Sequence, residues 1–250
     1  CITEDAELGL RILDEGYETT YIARSYGRGL MPDTFLDFKK QRSRWAFGAM
    51  QILRRHFDAL IHGRDTGLTA GQRYHFVAGW LPWLADGFNL LVNLAALVWS
   101  LVMVLFPRHI EPPLMLFSVL PLSLFLFKLV KLLHLYRARV GATFTQTIAA
   151  AIAGLGLSHT VGSAMLSGFV NKDRPFFRTP KRTTRHAWLQ SLAAAREEAV
   201  LMCGLWVAAF AVSSIPQMDG DQPGLVGSPD LTVWVTVLLV QSIPYAAAVI

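Results

Sequence analysis

Gln41-Arg42-Ser43-Arg44-Trp45 is the stretch on which the reading of this chain turns, set in an amphipathic run over 35–61. On a helix Gln41, Arg44 and Trp45 fall at i, i+3 and i+4, so an amide, a guanidinium and an indole share one face. That face suits a sugar. The indole is a flat apolar platform for a pyranose ring, and the amide and guanidinium offer directional donors to hydroxyl or phosphate oxygens. Trp beside basic residues on an amphipathic helix is equally the composition of a membrane-interface anchor. Phe35, Phe38, Trp45, Ala49, Ile52 or Leu53, Phe57 and Leu60 keep a helical period, while Lys39, Lys40, Arg54 and Arg55 crowd the other sides. The pattern predicts a helix lying along the inner membrane face, with its ligand-binding turn at the lipid boundary.

Upstream, 4–15 reads as a short helix with Leu8, Ile12 and Leu13 on a helical period and Gly16 as its stop. The β-favouring residues of 17–23 read as a strand. Thr3-Glu4-Asp5 then falls at a helix start, where Thr or Asp caps free amides and acids are stabilised by the helix dipole. The functional reading is that Asp5, kept ionised there, is a general base for a sugar hydroxyl. The chain opens on Cys1 with no initiator Met and no cleavable signal, as expected of a C-terminal fragment.

Downstream, the chain changes character. With 53% apolar residues, 16% charged and a mean hydropathy of +0.38, the 250 residues are too apolar for an ordinary soluble fold. The net charge of +5 is spread between apolar runs, which excludes a polybasic face for nucleic acid and suits membrane flanks. Cys1 and Cys203 allow at most one disulfide and lack the spacing of a zinc site, which fits a reducing compartment.

Four stretches are long and apolar enough to span a bilayer, 84–106, 114–136, 189–213 and 231–250, and 143–169 is a fifth by hydropathy alone. Loop charge separates them. Residues 1–75 carry eleven Lys or Arg, 107–113 only Arg108, 214–230 none, and 171–187 six. Basic segments belong inside, so an even number of crossings must precede 171–187, and 143–169 is expected to be interfacial or re-entrant. His159 is then a packed or interfacial histidine rather than a metal ligand. Asp86, Asn89, Asn93, Lys128 and Lys131 are costly in lipid and should face protein or a channel, where Trp80, Trp83 and Trp99 could stack sugars, with an aromatic belt the alternative for Trp80 and Trp83.

Thr-Glu-Asp, a helix and a strand, then Gln-x-x-Arg-Trp, with 36 positions from Asp5 to Gln41, resembles the processive family 2 glycosyltransferases. These include the cellulose, chitin and hyaluronan synthases, and the pattern is most similar to the catalytic subunit of bacterial cellulose synthase. The resemblance implies that Asp5 is the catalytic base. It also implies that Thr3, Glu4, Gln41, Arg44 and Trp45 bind the donor diphosphate region and the acceptor end of a growing glycan, with Arg42 and Ser43 variable. Phe176-Phe177-Arg178-Thr179-Pro180-Lys181 is similar to the family's gating loop, with Arg178 in place of a Val. By that likeness Phe176, Thr179 and Lys181 belong to a loop that covers the nucleotide; alternatively the basic residues there only fix topology or touch anionic lipid.

The implied fold class is mainly α and membrane-bound. It comprises the tail of a GT-A α/β catalytic domain in 1–34, an interface-helix region in 35–75, and a transmembrane region of about four helices in 76–250. That last region holds the interface helix 143–169 and the gating-type loop 170–187. The implied activity is transfer of glucose from UDP-glucose to a polysaccharide acceptor, with export across the bacterial inner membrane and the catalytic side cytoplasmic. Its divalent metal, Mg2+ or Mn2+, would be held by aspartates outside this fragment, and accessory export subunits would be partners. Two rivals stay open: a related synthase that transfers one sugar to a lipid carrier, and a transporter or scaffold without catalysis.

Overall fold

The computed structural model of the chain describes residues 1–250 except 21, 23, 25, 28, 30, 31, 33, 108, 114, 139, 172–192 and 216–228. It is mainly α-helical. Among the described residues the helices are α1 (Glu4–Asp14), α2 (Phe35–Arg55), α3 (Ala70–Ala78), α4 (Leu81–Leu105), α5 (Met115–Ala138), α6 (Phe144–Gly156), α7 (Ser158–Val170), α8 (Arg196–Ser214) and α9 (Pro229–Val249). The strand expected over 17–23 does not form among its described residues. Strand propensity needs a partner ladder to act through, and none of the described residues supplies one.

Two compact units divide the chain: Cys1–Phe88 with Thr160–Ala193, and Asn89–His159 with Ala194–Ile250. In the first, α1 ends where Gly16 takes a left-handed φ of +85°, as its role as a stop requires. Helix α2 starts because Thr34 accepts the Asp37 backbone N–H at 3.1 Å and donates its hydroxyl to Asp37 Oδ2 at 2.8 Å. The long run expected over 35–61 breaks at His56, and a short π-helical turn at Asp58–His62 follows, closed by Gly63 at φ +67°. Leu10 of α1, Ile52 of α2, Leu60 and Leu68 form the buried core, with Leu13, Leu53, Phe76, Val77 and Trp80 packed around it. Trp80 is half-buried at the edge of this core and stands edge-on to Phe76 at 5.1 Å.

The far side of α2 lies on α7. A Cβ on Gly168 would come within 2.6 Å of Met50 Cβ, and Arg54 Nη1 donates to the carbonyls of Gly168 (3.0 Å) and Asn171 (2.9 Å), closing the end of α7. Gly162 of α7 meets the backbone at Asp86 just as closely.

The second unit is a bundle in which α8 and α9 pair along their lengths and α9 also packs on α5 and α6. Its core joins Ala96 and Met103 of α4, Leu205, Ala209 and Val212 of α8, and Trp234, Val237, Leu238 and Tyr245 of α9. Indole N–H groups stitch the helices: Trp234 donates to Ser100 and Trp206 to Ser242. Asn93 is fully buried and donates to the Tyr245 hydroxyl at 2.7 Å, and Lys128 donates to Ser158 at 3.0 Å, so both face protein as expected. Lys131 is exposed instead, and Trp99 is exposed with its indole on the Glu111 carbonyl.

Outward-facing Val98, Leu101 and Leu105 of α4, Phe117, Phe127 and Val130 of α5, and Val200, Val207 and Phe210 of α8 leave an apolar exterior. Water is a poor match for such a surface. Five helical stretches, 144–170 among them, are long and apolar enough to cross a membrane. Length and composition alone therefore do not separate 144–170 from the others.

Candidate active site

The residues singled out at the chain start and on α2 are built from the same two helices. Thr3 occupies the position before α1, yet its side chain caps nothing. It is buried and lies on Gly48 of α2, where an added Cβ would come within 2.5 Å of Thr3 Cγ2 and 2.9 Å of its Cβ, and closer still to its hydroxyl. Beside it the Ile2 backbone N–H donates to Gln51 Oε1 at 3.1 Å. Gly48 is three residues beyond Trp45 and four beyond Arg44, so the start of α1 rests one helical turn from the pair.

Glu4 and Asp5 are exposed on the first turn of α1, and Asp5 Oδ1 accepts the Ala6 backbone N–H at 2.9 Å. Gln41, Arg44 and Trp45 are half-buried on α2, each keeping part of its surface to solvent. Asp5 thus stands exposed on the end of one helix, and Gln41, Arg44 and Trp45 keep part of their surface open on the helix that Thr3 rests against.

Arg42 has a clear place here that its position in the motif did not announce. Its guanidinium stands 4.8 Å from the Phe38 ring centroid and 4.5 Å from that of Trp45, one helical turn to either side. The cation therefore covers one face of the Trp45 indole. The signal was present in the sequence as Phe38-x3-Arg42-x2-Trp45, a spacing that puts all three side chains in reach on a helix.

Glu7 was also missed as more than a first-turn acid. It is buried, and its carboxylate receives Arg55 Nη1 at 2.7 and 3.0 Å, Arg11 Nη2 at 3.0 Å and His56 Nε2 at 3.3 Å. Burial works to raise its pKa, but the hydrogen bonds from Arg55, His56 and Arg11 outweigh it and hold the carboxyl down to about 2.

Asp14 anchors the other end of α1, accepting from the Thr66 hydroxyl and from the Gly67 backbone N–H at 2.9 Å. In the second unit His159 is packed as expected, with Nδ1 at 3.2 Å from Glu198 and its ring edge-on to Tyr245. Cys1 and Cys203 are both free thiols.

Phe176, Thr179 and Lys181 lie outside the described residues. So does Asp219-Gly220-Asp221, an Asp-x-Asp triplet within the chain, although aspartates of that kind were expected only outside it. Among the described residues no group of three or more His, Cys, Asp or Glu side chains is arranged to hold a metal.

An amide, a guanidinium and an indole on one helix, in a chain with five helical stretches long and apolar enough to cross a membrane, are the features that the comparison with known families bears on. The family model for glycosyl transferase family group 2 matches residues 1–153, and the chain belongs to that family. No solved structure matches it. The match takes in Asp5 and the whole of α2, and the family implies a nucleotide-sugar donor and an acceptor as partners.

Proposed function

We propose that this chain is the catalytic-end and membrane portion of a processive, inverting β-glycosyltransferase similar to cellulose synthase, using a UDP-sugar, with glucose the first candidate. The observation that carries the reading is the seating of Thr3 on Gly48. It sets the acid-tipped start of α1 one turn from Arg44 and Trp45 in a chain of the glycosyl transferase family. Asp5 takes the proton from the acceptor's terminal hydroxyl. That oxygen forms a bond to the anomeric carbon as the bond to the diphosphate breaks, and the nucleoside diphosphate leaves on the opposite side, which inverts an α-linked donor to a β-linkage. Trp45 stacks the acceptor sugar, with Arg42 behind the ring. Gln41 and Arg44 hold acceptor hydroxyls or diphosphate oxygens, with Thr3 and Glu4 at the same edge.

The apolar exterior of the second unit supports an inner-membrane location, with residues 1–75 on the cytoplasmic side and 143–169 at the interface. In this reading 1–34 end a GT-A domain, 35–75 lie at the membrane face, and 76–250 carry about four spans, with the 170–187 segment covering the site through Phe176, Thr179 and Lys181. Mg2+ or Mn2+ would neutralise the leaving diphosphate from ligands elsewhere in the protein. Product is exported with the help of accessory subunits.

The test is radiolabel transfer from a panel of UDP-sugars by the full-length protein in membrane vesicles with Mg2+ or Mn2+, with product length read on a gel. One donor giving long polymer is the expected result. A single sugar on a lipid carrier would refute processivity, and no transfer from any donor would refute the reading as a whole.

A further inference from the structure

We infer that Glu7 is a positioning residue for the transfer reaction: by gripping Arg55 and His56 at the end of α2, its carboxylate fixes the rotation of α1 and so the direction in which Asp5 faces. The inference rests on Asp5 being the base, as proposed above. Glu7 and Asp5 are two residues apart on α1, about 200° round the helix, so the side chain that faces α2 and the one that faces solvent are set by a single rotation. A slip of one residue turns the helix by about 100° and carries Asp5 round with it.

Apolar packing alone does not hold that rotation sharply. Leu10 and Leu13 bury the inner side of α1, but aliphatic contacts are non-directional. Glu7 adds direction. Arg55 reaches both carboxylate oxygens, His56 and Arg11 reach Oε1, and the Glu7 side chain is 8% exposed while the Arg11 and Arg55 side chains stay largely in solvent. As an element of the core an apolar residue would serve as well, because a buried charge gains little net stability from its partners. What the charge adds is a specific angle and register between the helix that bears Asp5 and the helix that bears Gln41, Arg44 and Trp45.

The experiment compares wild type, Glu7→Gln, Arg55→Gln, the swapped pair Glu7→Arg with Arg55→Glu, and Asp5→Asn. Each is the full-length protein in membrane vesicles with the UDP-sugar that wild type consumes, and rates are normalised to inserted protein. Glu7→Gln and Arg55→Gln are expected to lower kcat roughly 10- to 100-fold, as a misplacement of about 1 Å does, with donor KM nearly unchanged. The swapped pair should recover most of that loss, and amide exchange over 4–14 should quicken in Glu7→Gln. Unchanged kcat in Glu7→Gln beside an inactive Asp5→Asn would overturn this inference alone. Wild-type turnover by Asp5→Asn would overturn it together with the reading of the base. If the vesicles turn over no donor, exchange over 4–14 that is identical in wild type and Glu7→Gln still overturns it.

Discussion

Gly48→Ala is the perturbation whose effects separate most sharply. A Cβ there would meet Thr3 at 2.5 Å from Cγ2 and 2.9 Å from Cβ, where ordinary contact is about 3.5–4.0 Å. Thr3 is buried and β-branched, so it has little freedom to turn aside, and the start of α1 must lift by roughly 1 Å. Overpacking of that size costs about 1–3 kcal/mol, while alanine in a helix interior returns about 1 kcal/mol over glycine. The net loss of stability is therefore small, on the order of 0–2 kcal/mol. The transfer rate should fall far more, about 100-fold, because the displaced element carries Asp5. Glycosyl transfer and thermal unfolding, measured on the same preparation, read the two effects separately. Gly9→Ala on α1 is the control, since nothing stands within 4 Å of a Cβ there; it should stabilise slightly and leave the rate alone. Gly48→Ala at wild-type kcat/KM would refute the seating of α1 on α2 as the element that places the base.

Two further outcomes follow from the packing. Glu7 is held from an ordinary 4.5 down to about 2, so its stabilisation is fully present above pH 4.5 and is lost as pH falls from there toward 2. Melts of wild type at pH 5 and pH 3 should show the loss in the first unit, and Glu7→Gln should lack that increment; equal pH dependence in both would contradict it. Gln241 is buried on α9 with neither amide nitrogen nor amide oxygen hydrogen-bonded among the described residues. Gln241→Leu removes a desolvation cost of about 1–3 kcal/mol, so it should raise the melting temperature in detergent by several degrees, and a fall would show that the amide has a partner in the working protein.

Much of the local structure was legible because it depends on near neighbours. The acidic start, the Leu period and Gly16 mark α1 to within a residue, and the apolar stretches lie close to α4, α5 and α9. Placing those three helices needed only length and hydropathy. The helix over 35–61 was legible in kind but not in extent. Phe57 keeps the apolar period, yet it is 44% exposed beyond the break at His56, because a local period cannot report where the chain turns.

Long-range contacts stayed hidden for the same reason. Glu7 looks like any first-turn acid until Arg55, 48 residues away, is brought to it. Gly48 looks like a helix flaw until Thr3 rests on it. Trp80 matched both a sugar platform and an interface anchor, and its packing with Phe76 beside the Leu10 core could not be read from its near neighbours alone.

The most direct test of the central claim is transfer by Asp5→Asn, measured against wild type with the preferred UDP-sugar in membrane vesicles and with insertion checked by immunoblot. Trp45→Ala is run beside it. The account predicts that Asp5→Asn loses at least 100-fold in kcat at normal abundance, while Trp45→Ala is impaired chiefly in acceptor use. Asp5→Asn with wild-type polymer synthesis would contradict the account, and a transporter or scaffold without catalysis would then be the better reading of this chain.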